Sequence, residues 1–188
     1  ACAKPNDGFL RIGYASGTRT HQQDFSAVYP ALCAVLQRFS HVKFVCYTDT
    51  FGVAEFPEFA ALHAQLEVRR SVPFEALAQE VARYDIALAP LRTNNLFCAC
   101  KSEIKWMEAA LVHVPTVASP TPPYCDAIEN GVSGFLARDT ADWTFALTQL
   151  IENAALRHKM GDAAFAACLA HYGPQRTQNA LAAVFNDL

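Results

Sequence analysis

The amino-acid sequence predicts a doubly wound α/β domain with a mostly parallel sheet and further helices at its C-terminal end. Along the 188 residues, six short apolar segments alternate with segments of helical periodicity, and strands that alternate with helices form a parallel sheet covered on both faces. The apolar segments consist mainly of Val, Ile, Ala, Leu and Phe, as burial on both faces of a sheet requires. The length suits a single domain with a full hydrophobic core.

Each strand is predicted from a short apolar run bounded by turn or helix signals. The six predicted strands cover, in chain order, residues 10–17, 42–48, 66–71, 85–91, 115–120 and 134–137. In sheets of this kind, ligands bind at the carboxyl ends of the strands, where the strand order reverses. The connections that follow the strands are therefore the expected places for a binding site.

The connections between the strands carry helix signals. Residues 24–39 place apolar side chains at helical spacing behind Asp24, which is a good N-cap, and Pro30 is expected to bend that helix. Residues 73–84 start with Pro at the first helical position. Further helices are predicted over residues 56–65, over 101–113, shortly before Gly131, over 141–172 with a break near Met160–Gly161, and over 174–188.

Composition and charge exclude several classes of protein. Hydrophobic residues make up 52% of the chain and charged residues 18%, which is too apolar for a disordered protein. Pro, Lys or Asp interrupts the apolar runs before they reach the roughly 18 residues of a membrane span. The net charge of −3 argues against a nucleic-acid partner, because binding to a phosphate backbone needs a basic surface.

The cysteines and the chain start indicate the compartment and the domain organisation. The seven cysteines are odd in number and lie mostly in apolar segments, which is typical of reduced thiols in the cytoplasm. Cys98 and Cys100 have no second cysteine pair at metal-binding spacing, so no zinc site is predicted. The sequence shows no signal-peptide pattern. It starts without Met and soon enters a strand, which predicts that residues 1–188 are one domain excised from a longer chain.

Two lysines at the start of a predicted helix are the main candidate for a site. Lys101, Lys105 and Glu108 follow i, i+4, i+7 spacing and share one helical face. Cations at a helix N-terminus oppose the helix dipole, and here they would follow the carboxyl end of a strand, where a phosphate or diphosphate could bind them. A carboxylate deeper in the helix could accept hydrogen bonds from sugar hydroxyls. The alternative is an ordinary solvated face.

The connection after the first strand is a second candidate. Gly17 permits a close approach of the backbone, and Thr18 and His21 offer hydrogen-bond donors at the ligand edge. The segment is not G-x-G-x-x-G, so the dinucleotide fingerprint is absent. The alternative is an ordinary strand-to-helix connection.

The segment "EAALVHVPTVASPTPPYCDAIENGVSGFLARDTADWTFALTQLIENAALRHKMGDAA" resembles the donor-binding half of retaining GT-B glycosyltransferases of the group-1 type. Upstream, "SVPFEALAQEVARYDIALAPL" and "IGYASGTRTHQQDF" are similar to the segment before that motif and to the opening strand and loop. The resemblance extends from residue 10 to about 172. It implies a Rossmann-like domain that binds a nucleotide-diphosphate sugar.

The resemblance also implies roles for single residues. Glu108 matches the glutamate that holds the nucleotide ribose, and Cys100 stands where the family usually has the acidic residue that contacts the donor sugar. The pattern Lys-Ser-x-x-Lys-x-x-Glu, formed with Lys101, Ser102 and Lys105, resembles a variant in which basic residues lie near the diphosphate. By the same resemblance, the backbone of Val72 and Pro73 lies near the base of the nucleotide.

For the whole protein, the resemblance implies sugar transfer without a metal, in polysaccharide biosynthesis, to an acceptor held by an N-terminal domain of the same full-length chain. The segment 174–188 would pack on that missing domain, and the protein would be cytoplasmic, or peripheral to the inner membrane through that domain. The single domain is expected to bind donor with little or no turnover.

Two alternatives remain open at this point. One is a non-catalytic nucleotide-binding or interaction module. The other is a nucleotide-sugar epimerase or dehydrogenase-like enzyme, which would need a Gly-rich first turn and an acidic residue ending the second strand. Asp49 lies just past that strand, but the glycines are missing.

Overall fold

The computed structural model describes residues 4–17, 22–176 and 178. It confirms the six predicted strands, which are shorter than their apolar runs. Their bounds are β1 (Leu10–Gly13), β2 (Val42–Tyr47), β3 (Leu66–Arg69), β4 (Ile86–Ala89), β5 (Thr116–Ala118) and β6 (Phe135–Leu136). The predicted residues Thr18 and His21, and most of the segment 174–188, lie outside the described part of the chain.

The strands form one six-stranded sheet in the order β3-β2-β1-β4-β5-β6. All five pairings are parallel, which confirms the doubly wound, parallel α/β class. The chain moves outward from β1 to β3 and then returns to the other side of β1 at β4. Because the order reverses between β1 and β4, the crevice at their carboxyl ends is the expected ligand site.

The helices surround the sheet. Their bounds are α1 (Gln22–Phe25), α2 (Tyr29–Arg38), α3 (Phe74–Val81), α4 (Leu96–Ala99), α5 (Ile104–Ala110), α6 (Pro122–Ala127), α7 (Thr140–Glu152) and α8 (Ala154–Tyr172). The helix predicted over 24–39 is therefore two helices, and Pro30 lies in the first turn of α2, where a missing N–H costs nothing. Three short 3₁₀ helices between residues 53 and 65 replace the helix predicted over 56–65.

The predicted lysine helix is also divided. Asn95 caps α4 by accepting hydrogen bonds from two backbone N–H groups, and α5 starts only at Ile104. Lys101 lies in the connection between these two helices, so the prediction that it shares a helical face with Lys105 is wrong. The inward side of α5 consists of buried Trp106, Ala109 and Ala110.

The long C-terminal helical segment breaks earlier than predicted. Its break lies at Asn153, whose side chain caps α8 by accepting from the N–H of Leu156 at 2.9 Å. Gly161 lies inside α8, where a Cβ atom would be 2.2 Å from the carbonyl oxygen of His113. Gly161 thus allows α8 to touch the turn before β5, and it does not end the helix.

The core lies on both faces of the sheet. On one face, α2 and α7 cover the sheet together with a cluster of aromatic rings around Phe25. On the other face, α5, α6 and α8 enclose Trp106 and Tyr124. Both faces are therefore covered, and the exposed edge that remains for a ligand is the one at the strand ends.

Candidate functional site

A cavity of about 710 Å³ lies at the carboxyl ends of the strands. Residues that follow or end β1, β2, β3 and β4 contribute to it, as do side chains of α3, α5 and α6. Its lining consists of Ala15, Ser16, Gly17, Tyr47, Thr50, Ser71, Val72, Phe74, Leu77, Leu91, Phe97, Lys101, Ser102, Ile104, Lys105, Glu108 and Tyr124. The cavity therefore occupies the position at which the strand order predicts a ligand.

Lys105 projects from the first turn of α5 into the cavity wall. Its ammonium group donates a hydrogen bond to the carbonyl oxygen of Ala15, just after β1, at 2.5 Å, and it lies 5.7 Å from the centre of the Tyr14 ring. Burial lowers the pKa of Lys105, and the nearby charge of Lys101 contributes to the same shift. Lys105 forms no ion pair with a carboxylate of the described residues, so its charge is available to an anion.

Glu108 lies one turn further along α5 and is half-buried. No described residue donates a hydrogen bond to its carboxylate. Burial raises the pKa of Glu108, while the charge of Lys105 acts in the opposite direction. Burial removes water from part of the Glu108 carboxylate, and no described residue replaces the lost hydrogen bonds, which is unfavourable. Hydroxyl groups of a ligand would donate to the carboxylate and so replace those bonds.

Lys101 lines the same cavity, but its surroundings differ. Its ammonium group lies 2.7 Å from the carboxylate of Asp24, which also accepts from the thiol of Cys98 at 3.2 Å and lies 3.4 Å from Nε of Arg92. Burial alone would favour the neutral acid, yet the bonds from Lys101 and Cys98 hold the pKa of Asp24 below its ordinary value. Asp24 is 1% exposed and lies within α1. The prediction that it caps a helix is wrong, because it is a buried counter-ion.

A smaller cavity of about 420 Å³ adjoins this ion pair. It shares Phe97 and Lys101 with the larger cavity, and its other lining residues are Gln22, Gln23, Asp24, Glu55, Arg92 and Cys98. The two side chains therefore form a common wall between the two cavities.

Residues 4–17, 22–176 and 178 carry neither a cluster of metal ligands nor a membrane-spanning helix. In these ranges, no three His, Cys, Asp or Glu side chains cluster closely enough to hold a metal ion. None of the helices there has the length and apolarity that crossing a membrane would demand. Six cysteines in the same part of the chain are free thiols, with Cys100 and Cys125 exposed.

A family model for glycosyl transferases group 1 matches residues 10–153, well over half of the chain. The chain belongs to this family. The resemblance to group-1 glycosyltransferases that the sequence motifs indicate is therefore confirmed. A search of curated proteins gives no match for this group 1 glycosyl transferase domain.

Solved structures share the fold of this group 1 glycosyl transferase domain. A point mutant of S. aureus TarM in complex with Fondaparinux, alpha-GlcNAc-glycerol and UDP aligns with a TM-score of 0.73 at 16% identity, over 99% of this chain and 38% of TarM. Anabaena HepE in complex with UDP and glucose aligns with a TM-score of 0.73 at 15% identity, over 96% of this chain and 49% of HepE. The chain spans less than half the length of either protein.

A third structure corresponds to one domain alone. The C-terminal domain of the group 1 family protein LpcC from Francisella tularensis aligns with a TM-score of 0.62 at 16% identity, over 91% of this chain and 89% of that domain. Together with the family match, this agreement in extent supports the interpretation of the chain as the C-terminal domain of a GT-B glycosyltransferase.

The structure brings most of the predicted site residues of this glycosyl transferase domain together. Lys101, Lys105, Glu108, Ser102, Gly17 and Val72 all line the larger cavity.

The remaining predicted residues lie elsewhere. Pro73 is the N-cap of α3, beside Val72 but outside the lining. Cys100 ends α4 and is exposed, so the structure does not bring it into the cavity. Thr18 and His21 fall outside the described residues.

Sequence reasoning missed several cavity residues. Tyr47 ends β2, Phe97 belongs to α4, which was not predicted, and Tyr124 follows β5. The sequence indicates Asp24 only as a helix cap. The strand-end rule indicates the connections in which these residues lie, yet it does not show which side chains turn towards the ligand.

Proposed function

We propose that this domain binds a nucleotide-diphosphate sugar in the larger cavity, as the donor for sugar transfer to an acceptor held by a second domain. One observation carries the proposal: a single cavity at the strand ends contains the ammonium group of Lys105, which has no carboxylate partner among the described residues, and the half-buried carboxylate of Glu108, to which none of those residues donates. An anion and a pair of hydroxyl groups would satisfy both, and a nucleotide diphosphate carries both.

During sugar transfer, the leaving diphosphate develops the largest charge. When the bond between the sugar and the diphosphate breaks, negative charge develops on the diphosphate oxygens, and fixed cations stabilise it. Lys105 supplies such a charge, and Lys101 supplies a second one next to it. Glu108 accepts hydrogen bonds from the ribose hydroxyls and so fixes the nucleotide relative to the lysines.

The other parts of the donor occupy the remaining walls. The base lies near the backbone of Val72 and Pro73. Transfer retains the configuration of the sugar and needs no metal ion, because the lysines take over the stabilisation of the diphosphate. The TarM and HepE structures contain UDP, so UDP is the first nucleotide to test.

Titration calorimetry with UDP, GDP and ADP tests the proposal. We expect one of these nucleotides to bind, and we expect Glu108→Gln to weaken its binding roughly tenfold, because a neutral amide oxygen is a weaker acceptor for the ribose hydroxyls than a charged carboxylate. The melting temperature should stay the same or rise, since burial disfavours the Glu108 charge in the folded state.

The matched control is Glu152→Gln, which removes an exposed carboxylate paired with Arg38 on the surface. It should leave nucleotide binding unchanged. Absence of binding by every nucleotide at millimolar concentration, or equal binding by wild type and Glu108→Gln, would contradict the proposal.

A second candidate is a module that binds the nucleotide without transferring a sugar. The exposed Cys100 favours it, because this residue stands in place of the acidic residue that contacts the donor sugar in the resembling family. Binding of UDP-glucose no tighter than that of UDP would favour this candidate.

A further inference from the structure

Tyr124 is a part of the cavity wall that the sequence motifs do not assign. It lies in α6 directly after β5, and its side chain is 1% exposed. The ring packs in the core cluster that contains Leu91, Trp106 and Ile128. The same residue lines the larger cavity together with Lys105. The ring is therefore fixed by the core, while one part of it reaches the site.

The hydroxyl of Tyr124 forms no hydrogen bond with any residue in the described ranges. Other tyrosines of the molecule behave differently. Tyr47 and Tyr84 bond to each other, and Tyr47 also bonds to Glu80 at 3.0 Å. The hydroxyl of Tyr29 donates to the carboxylate of Glu58 and accepts from the backbone N–H of Glu58 at 3.0 Å.

This difference needs a physical reason. A buried tyrosine hydroxyl normally finds a partner, because an unpaired polar group in a protein interior costs stability. Among the described residues, the buried side-chain oxygens that lack a partner are those of Thr116 and Thr121, so the Tyr124 hydroxyl is not enclosed by protein and opens to the cavity. A hydroxyl at the cavity wall that has no partner among the described residues is explained if a ligand supplies the partner.

We propose that the Tyr124 hydroxyl is a binding group of this site and donates a hydrogen bond to an oxygen of the bound nucleotide diphosphate. The proposal rests on the proposed function, because it uses the same ligand in the same cavity. It adds a neutral donor to the charged pair formed by Lys105 and Glu108.

The surroundings of Tyr124 determine whether its hydroxyl is protonated. Burial raises the pKa of Tyr124, and the charges of Glu103 and Glu108 contribute further. The hydroxyl therefore keeps its proton and acts as a donor. Phosphate oxygens are strong acceptors for such a donor, and the phenol adds no further charge beside the lysines.

Tyr124→Phe tests the inference, because it removes only the hydroxyl. With UDP, GDP and ADP as probes, we expect roughly tenfold weaker binding of whichever nucleotide the wild type binds, as for one hydrogen bond to a charged oxygen. The melting temperature should be unchanged or slightly higher. The matched control is Tyr29→Phe, which breaks an internal bond outside the cavity and should lower the melting temperature with unchanged nucleotide affinity.

The outcomes separate this inference from the proposed function. If the wild type binds none of the nucleotides, the proposed function fails and the inference fails with it. If the wild type binds and Tyr124→Phe binds equally well, only the inference is overturned. A large loss of melting temperature in Tyr124→Phe would also overturn it, because the hydroxyl would then have a structural partner.

Discussion

The two lysines of the site differ in how far their charges are compensated by neighbouring groups. Lys101 is paired with Asp24 at 2.7 Å, so its charge is largely compensated before a ligand arrives. Lys105 bonds to a backbone carbonyl, which provides no opposite charge. Burial costs Lys105 part of its hydration, and this lowers its pKa. Lys105 therefore gains more from an incoming anion than Lys101 does.

This difference predicts how nucleotide affinity depends on pH. Above neutral pH the terminal phosphate of UDP is already ionised, since its pKa is about 6. Lys105 has a lowered pKa, so it loses its proton at a lower pH than an ordinary lysine, and an anion then loses its partner. We expect UDP affinity to fall as the pH rises through the lowered pKa of Lys105, below the range in which an ordinary lysine loses its proton, with proton uptake on binding in calorimetry.

The variant Lys105→Arg checks the assignment of this titration, because a guanidinium group stays protonated throughout that range. It should bind UDP with an affinity that is nearly independent of pH. The neighbouring groups that titrate or carry charge are Lys101, Asp24 and Glu108. An unchanged pH dependence in Lys105→Arg would assign the titration to one of these groups or to the ligand.

The sequence predicts the identity of the site residues better than their geometry. Lys105 and Glu108 are correctly placed on one helix, because both lie within α5 and their spacing is local. The role of Asp24 could not be predicted, since its partner Lys101 lies 77 residues away in the sequence. Local capping rules describe a residue's neighbours in sequence, and they do not account for an ion pair formed by folding.

At the scale of elements, the strands are predicted well because their signal is direct. A strand buried on both faces is apolar at most positions, and β1, β2, β4 and β5 are buried at nearly every position, with Arg11 of β1 as a charged exception. Helix boundaries are predicted less well, because a capping side chain can start or end a helix at a position that the apolar periodicity does not indicate. Asn95 starts α4, a helix that the apolar spacing does not predict, and Asn153 ends α7 and starts α8 within one predicted helical segment.

Gly161 shows how packing can explain a glycine inside a helix. An added Cβ would lie 2.2 Å from the His113 carbonyl oxygen, and His113 itself has φ of 59°, so the turn has little freedom to move. We expect Gly161→Ala to lower the free energy of unfolding by roughly 1–3 kcal/mol through overpacking, although alanine favours helices by about 1 kcal/mol. Urea denaturation measures the change.

The control for that variant is Gly17→Ala, where an added Cβ meets no atom within 4 Å. Its free energy of unfolding should stay within about 0.5 kcal/mol of wild type. A stabilised Gly161→Ala would show that α8 can shift away from the turn and that the close contact is not required.

At the scale of the whole molecule, the cavity is a product of the topology. Segments from five regions that are far apart in sequence meet there because all six strands of the described sheet run in one direction. The parallel order was predictable from the alternation of strands and helices. The shape and volume of the cavity were not, since they depend on connections whose conformation the apolar pattern does not specify.

The extent of the chain gives a prediction about activity. The chain covers 38% of TarM and 49% of HepE, and we expect the acceptor to lie in the part that has no counterpart here. The chain alone should bind UDP-glucose, or another nucleotide sugar, and release free nucleotide only very slowly. Chromatography of the reaction mixture after long incubation measures the release. Rapid turnover by the chain alone would contradict the proposed two-domain arrangement.

The contact between Lys105 and the carbonyl of Ala15 links the end of β1 to the start of α5. An ammonium group has three N–H donors, and this contact uses one of them. Two donors remain, so a phosphate can be captured without breaking the link. The side chain is thus held ready in advance, and the speed of nucleotide capture on this side of the cavity should depend on encounter, without waiting for the side chain to rearrange.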